Sequence, residues 1–249
     1  MSKRSLNELL SVTDTVEGWM SKDQAARLYA AAAATSADQQ IVEIGSFRGR
    51  STIVLAGAAP DGVDIVAIDP HAGNDRGPRQ ISGFVEEAAD DHDAFNENLV
   101  AAGVAHRVRH IREFSHWAHE DVTGTIAVLF IDGAHRYAPA QSDIRTWGAR
   151  VEPGGTMLIH DSFSSVGVTL AIARELLFGC RFRYVGRSRS LAEYRADLGK
   201  DRRSRATNSV RQIAQLPWFT KNLALKVLLK LRLGGLIKRV TGRVPEWPY

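Results

Sequence analysis

The sequence predicts a doubly wound α/β domain, a seven-stranded and mostly parallel sheet with helical extensions at both ends. Three observations carry that prediction. Between residues 41 and 194 short β-rich apolar runs alternate with helical patterns, the order a parallel sheet with crossover helices produces. Those runs are apolar on successive residues, as strands covered on both faces must be. The chain of 249 residues is 44% hydrophobic and 24% charged, enough for one core domain and incompatible with a disordered or fibrous chain.

Strands are expected over 41–45, 64–69, 107–111, 126–131, 156–160, 182–185 and 191–194, and helices over 51–59, 92–102, 138–150 and 166–178. Pro153-Gly154-Gly155 reads as a turn before the fifth strand. Ahead of the sheet, 21–34 reads as a helix, with Ser21 as N-cap and Gln24 completing a capping box. The stretch 73–90 has little apolar pattern and suits a lid or gate whose residues Asn74, Asp75, Arg76, Arg79 and Gln80 are polar. After Lys200 a polar basic linker is expected over 201–211, then an apolar and basic helix over 218–240 and an extended, proline-rich end. The organisation is therefore an N-terminal helical cap (1–36), a central domain (37–198) and a basic C-terminal extension (199–249).

Charge and cysteine usage narrow the setting. A single cysteine, Cys180, cannot close an intrachain disulfide, and the N-terminus lacks the apolar run of a secretory signal, which points to a reduced, cytoplasmic protein. Lysines interrupt the apolar stretch 223–233, so no membrane span is expected. The net charge of +4 conceals 17 Lys and Arg against three acids over 181–243, a local +14 that leaves −10 elsewhere. An acidic body with a basic tail argues against a nucleic-acid enzyme. On a helical wheel the tail is apolar on two sides, with Leu223, Ala224, Val227 and Leu228 on one and Trp218, Leu225 and Leu229 on the other. Its cover would come from the domain, from a second subunit in a homo-oligomer, or from an anionic membrane surface in a peripheral attachment.

Chemistry gathers at two strand ends. Val42-Glu43-Ile44-Gly45-Ser46-Phe47-Arg48-Gly49-Arg50-Ser51-Thr52 is a buried strand, a glycine turn and a helix start, where bare backbone and free N–H groups meet a ligand. The spacing G-x-x-x-G is not the dinucleotide fingerprint G-x-G-x-x-G. Asp69 closes the second strand, where a carboxylate suits the vicinal hydroxyls of a ribose. Asp132 and His135 follow the fourth strand and His160 and Asp161 the fifth, so neighbouring parallel strands deliver them to one rim. His106, His110, His116 and His119 spread over a strand and a loop without zinc-ligand spacing and read as solvated, and Tyr137 reads as a core aromatic. His71, beside Asp69, stands within reach of a ligand.

The strings VEIGSFRGRST, AIDPH, FIDGAHRY and EPGGTMLIHDS, in that order over most of 40–162, resemble class I S-adenosylmethionine-dependent methyltransferases with their Rossmann-like sheet. Within that family the chain is most similar to small O-methyltransferases of the macrolide-sugar and catechol type. The resemblance implies that Glu43, Gly45, Ser46, Gly49 and Ser51 form the methionine side of the cofactor site, that Asp69 binds its ribose, and that Phe114 and Ser115 hold the adenine. It implies Asp132 beside the cofactor, His135 as the general base, and a Mg²⁺ (or Mn²⁺) site at Asp132, His160 and Asp161. His160 stands where that pattern has a carboxylate, which favours a softer cation than Mg²⁺. The polar gate suits a sugar hydroxyl of an oligosaccharide, polysaccharide or glycolipid as acceptor. A phenolic or antibiotic acceptor, or a non-catalytic membrane-docked binding protein, are the rival readings.

Overall fold

The computed structural model describes residues 4–72 and 85–230. The gate residues 74–80 and the tail beyond 230 lie outside them. Seven strands, β1 (Gln40–Ile44), β2 (Asp64–Ile68), β3 (Val108–Ile111), β4 (Ile126–Ile131), β5 (Val151–Ile159), β6 (Arg183–Ser188) and β7 (Leu191–Arg195), form one sheet in the order β3-β2-β1-β4-β5-β7-β6. The first five run parallel, and β7 is antiparallel to both β5 and β6. Strand order reverses beside β1, which pairs with β2 on one side and β4 on the other. Open α/β sheets bind ligands at the carboxyl ends of such neighbours.

Alternate residues of each central strand feed two cores. Val42, Ile44, Val66, Ile68, Leu129 and Ile131 pack toward α5 (Tyr137–Thr146) and α6 (Val166–Glu175), together with Trp147 and Tyr194. Ile41, Ile65, Ala67, Val128 and Phe130 pack on the other face against α1 (Leu6–Thr13), α2 (Lys22–Ala33), α3 (Arg50–Ala58) and α4 (Val85–Ala101). β1 and β4 are buried at every residue; β4 reads as an unbroken apolar run, while β1 also buries Gln40 and Glu43.

The capping box of α2 forms as its sequence requires: Ser21 Oγ accepts from Gln24 N, and Gln24 Oε1 accepts from Ser21 N at 2.8 Å. Other elements depart from expectation. An unexpected first helix, α1, is capped by a second box, Ser5 with Glu8. α4 starts seven residues before the predicted helix. Pro153-Gly154-Gly155 is no turn before β5 but lies within it; Gly154 takes φ +81°, and the pairing with β4 shifts register there.

The expected linker over 201–211 is helix α7 (Arg202–Ile213), followed by α8 (Leu216–Lys230). α7 is anchored by polar side chains that turn inward. Asn208 accepts from Tyr184 N at 2.7 Å and donates to Phe182 O, and Gln212 donates to Leu176 O. α8 sets Trp218 and Phe219 against the first core, while Leu223 and Val227 remain exposed, so the domain covers one of its two apolar sides. Among the described residues no helix is long and apolar enough to cross a membrane.

Candidate active site

Between β1 and α3 the chain turns over the end of the sheet. Gly45 sits at φ +86°, where a Cβ would stand 2.3 Å from the carbonyl oxygen of Asp132, so only glycine lets the β1 and β4 ends approach this closely. Gly49, at φ +85°, starts α3 without a side-chain cap. The Ser46 hydroxyl is buried and has no hydrogen-bond partner among the described residues.

Asp69 holds the turn in shape. Its Oδ2 accepts from Ser46 N (2.9 Å) and Phe47 N (2.8 Å), and its Oδ1 from His71 N (2.8 Å). His71, at φ +44°, closes the circuit with Nε2 2.8 Å from Phe47 O. Glu43 and Ser51 lie beneath the loop and not on the rim: the fully buried Glu43 carboxyl takes the hydroxyls of Ser51 and of Thr52 (2.5 Å). Burial pushes the Glu43 carboxyl up to about 8, against the lowering effect of the two hydroxyls.

On the far side of the sheet, Ser115 Oγ donates to Asp143 Oδ1 at 2.6 Å, and Trp147 Nε1 donates to the Ser115 carbonyl. Burial raises the Asp143 carboxyl to about 6, with the Ser115 hydroxyl opposing. Phe114 is exposed and meets Trp117 edge-on at 5.5 Å. Asp143 had no motif to mark it; its one sequence signal is an acid on the core side of an otherwise ordinary helix.

The chemistry-bearing rim is formed by β4 and β5. His160 N donates to Ile131 O, which sets the two strand ends side by side. One ligand atom from each of Asp132, His135 and Asp161 lies within 4.8 Å of the others. His135 Nε2 is 2.7 Å from Asp161 Oδ2. Asp161 is nearly buried and adopts φ +54°, a left-handed conformation that an aspartate tolerates better than most residues. Burial opposes charge on His135, but the hydrogen bond it donates to Asp161 and the Asp161 and Asp132 charges outweigh it and raise its pKa above the ordinary value. Burial likewise opposes the Asp161 anion, and His160 and His135 hold its pKa well below the usual carboxylate range.

His160 is not among the three residues of that cluster. Its ring is buried, with Nδ1 3.0 Å from Asp132 Oδ1 and 3.4 Å from Asp161 Oδ2, forked between them with neither contact linear. A nitrogen facing two carboxylates is a proton donor to them. His106 and His116 are exposed as expected, but two other histidines are not. His110 is not solvated: it packs on Phe95 at 4.7 Å and His71 at 5.0 Å, and burial pushes its pKa down to about 4. His119 stacks on Trp147 at 4.3 Å. Tyr137 is exposed at the start of α5, not a core aromatic.

The sequence over 42–162, from β1 through the loop after β5, matches the family model of a methyltransferase domain. Over that stretch the chain is similar to a methyltransferase domain. The methyltransferase sheet recurs in solved structures. The cofactor-bound Rv0187 from MTB superposes at TM-score 0.54 with 19% identity, over 77% of this chain and 88% of that one. The O-methyltransferase NovP gives 0.54 at 15%, over 70% and 78%. An O-methyltransferase from Bacillus cereus in complex with SAH gives 0.51 at 18%, over 76% and 87%. At these identities the likeness is one of fold. The methyltransferase fold thus carries the glycine turn, Asp69 and the Asp132–His135–Asp161 cluster along one edge of the sheet.

Proposed function

We propose that the protein is an S-adenosylmethionine-dependent O-methyltransferase that methylates a sugar hydroxyl of an oligosaccharide, polysaccharide or glycolipid. The observation that carries this reading is the convergence of Asp132, His135 and Asp161 beside the glycine turn at the strand-order reversal. The buried, unpartnered Ser46 hydroxyl and the close-packed Gly45 suit the methionine end of the cofactor. Asp69 Oδ1, which takes a single N–H, keeps a lone pair for a ribose hydroxyl. Phe114 and Ser115, which follow β3, would hold the adenine. Glu43 and Ser51 support the loop from below. The Bacillus cereus relative, bound to SAH, supports the choice of cofactor.

Methyl transfer forms an oxygen–carbon bond as the carbon–sulfur bond of the sulfonium breaks, and the hydroxyl proton must leave. We assign that proton to the imidazole of His135. A nitrogen bonded to a cation has no lone pair for a proton, so a divalent cation would rest on the carboxylates of Asp132 and Asp161, with water and acceptor hydroxyls completing its shell. Two carboxylate oxygens fit Mg²⁺ or Mn²⁺ loosely; the cation, when bound, would stabilise the developing alkoxide. For the acceptor, the exposed Tyr137, two residues beyond His135, offers an amphipathic ring against which a sugar can lie. The polar sequence over 74–80 agrees with a hydroxyl-rich ligand.

The deciding experiment measures methyl transfer from labelled S-adenosylmethionine into mono- and oligosaccharides beside a catechol. Transfer to sugars and not to catechol supports the proposal. Saturable transfer to catechol alone replaces the sugar with a phenol.

A further inference from the structure

At the edge of the sheet an open groove of about 490 Å³ lies between β6 and the end of α7, lined by Tyr184, Val185 and Gly186 on the strand and by Arg187, Arg211 and Gln215. Among the described residues two of the lining side chains are guanidinium groups and none is acidic. Arg187 is fixed from three sides: it lies 4.0 Å over the Trp218 ring, its Nε donates to Gln215 Oε1 at 2.8 Å, and its Nη1 donates to Arg189 O at 2.8 Å. All three partners are neutral, and among the described residues Nη2 has no acceptor for either hydrogen. Lys221 Nζ approaches the same indole at 5.8 Å, and the exposed Arg211 pairs with no acid among the described residues. Glu193, opposite Gly186 in β7, is already held by Arg27 at 2.6 Å. Burial works against the Arg187 charge, so a partly buried cation that meets only neutral acceptors leaves the groove positive and its fork open to a carboxylate or phosphate.

The turn between β6 and β7 ties this groove to the rim. Arg187 holds the Arg189 carbonyl, and the next residue, Ser190, accepts at its own carbonyl from Ser162 N, beside Asp161. Three residues separate Arg187 from Ser190, at most roughly 11 Å of chain, a span that one acceptor molecule can bridge. We infer that the groove is an anion subsite: Arg187 and Arg211 grip an acidic substituent, a carboxylate or a phosphate ester, on the sugar acceptor whose hydroxyl meets the rim. The inference rests on the sugar reading above and narrows it to acidic glycans.

The test adds inorganic phosphate to the full chain labelled with ¹⁵N-arginine, at about 0.15 M ionic strength so that loose surface attraction is screened. The Arg187 Nε–H signal should move and saturate. Arg211→Gln, a change on the exposed wall that leaves the core untouched, should weaken phosphate binding on the order of 10-fold. With labelled S-adenosylmethionine, the same variant should raise KM for a uronate-containing oligosaccharide by a similar factor at unchanged kcat, and leave KM for its carboxyl-reduced counterpart where it was. A sugar-phosphate acceptor run beside the uronate tells the two anions apart, and a KM effect on either supports the subsite. A phosphate titration that moves no Arg187 signal, an unchanged phosphate affinity in Arg211→Gln, or a KM rise equal for acidic and neutral acceptors would overturn the inference. Binding to phosphatidylglycerol vesicles without binding to soluble phosphate would overturn it too, and make these cations a membrane surface. Where no sugar is methylated the acceptor reading fails, and the phosphate titration still decides whether the groove holds an anion.

Discussion

His135 Nε2 stands 2.7 Å from Asp161 Oδ2, and Asp161 is the more buried of the two. A base must be unprotonated to act, and this contact raises the pKa of His135. Activity should therefore rise with pH through a midpoint above the ordinary histidine value of about 6.5. Asp161→Asn keeps the left-handed backbone, which asparagine tolerates, but removes the charge, so burial acts alone on the ring. The rising limb of kcat/KM against pH should move to lower pH by about a unit or more. His135→Ala should lower kcat by roughly 10²- to 10⁴-fold without loss of S-adenosylhomocysteine affinity, measured by calorimetry.

Two carboxylates with no third oxygen ligand should bind a divalent cation weakly. Chelation with EDTA should abolish most of the methyl transfer, and millimolar Mg²⁺ or Mn²⁺ should restore it. Asp132→Asn, with one charge removed, should raise the cation concentration needed for half-restoration. Full activity after exhaustive chelation would leave Asp132 and Asp161 hydrogen-bonded directly to the acceptor.

Asp69 should be doubly sensitive. Its carboxylate accepts three backbone N–H groups, from Ser46, Phe47 and His71. Charge-assisted bonds of this kind contribute about 1.5 to 3 kcal/mol each when a partner is left unmade. Asp69→Ala should weaken S-adenosylhomocysteine binding by about 2 to 4 kcal/mol and lower Tm as well, because the turn loses its frame. Wild-type affinity in calorimetry would remove Asp69 from the cofactor site.

Glu43 offers a stability test independent of activity. Its folded pKa of about 8 exceeds the unfolded value, so the folded chain holds a proton that the unfolded chain releases. Its favourable contribution is fully present below the unfolded pKa, about 4.5, and is lost as pH rises to about 8. Glu43→Gln should leave stability near pH 4 unchanged and raise it at pH 8 by an amount on the order of a few kcal/mol, read from urea unfolding at each pH.

Much of this architecture was legible because the parallel sheet writes itself into unbroken apolar runs, and because the strand ends leave chemistry at fixed places: Gly45 after β1, Asp69 after β2, Asp132 after β4, Asp161 after β5. The exchange of His160 for His135 in the three-atom cluster was not legible. Both histidines follow adjacent strands, and only the direction in which each ring leaves the backbone distinguishes them. α7 read as a linker because the residues that anchor it, Asn208 and Gln212, are polar; inward hydrogen bonds to Tyr184 and Leu176 do there what apolar side chains do elsewhere.

α8 grips the loop that carries Asp161: Asn222 donates to Phe163 O, and Lys226 Nζ donates to Ser164 O and Oγ, both at 3.0 Å. The boundary near residue 199 is therefore no place to shorten this protein. A chain ending at Lys200 would retain all of the family-matched stretch and every rim residue, yet would lose both clamps on the turn that aims Asp161. For expression, crystallisation or transplanting the domain, the smallest working unit extends at least through Lys226.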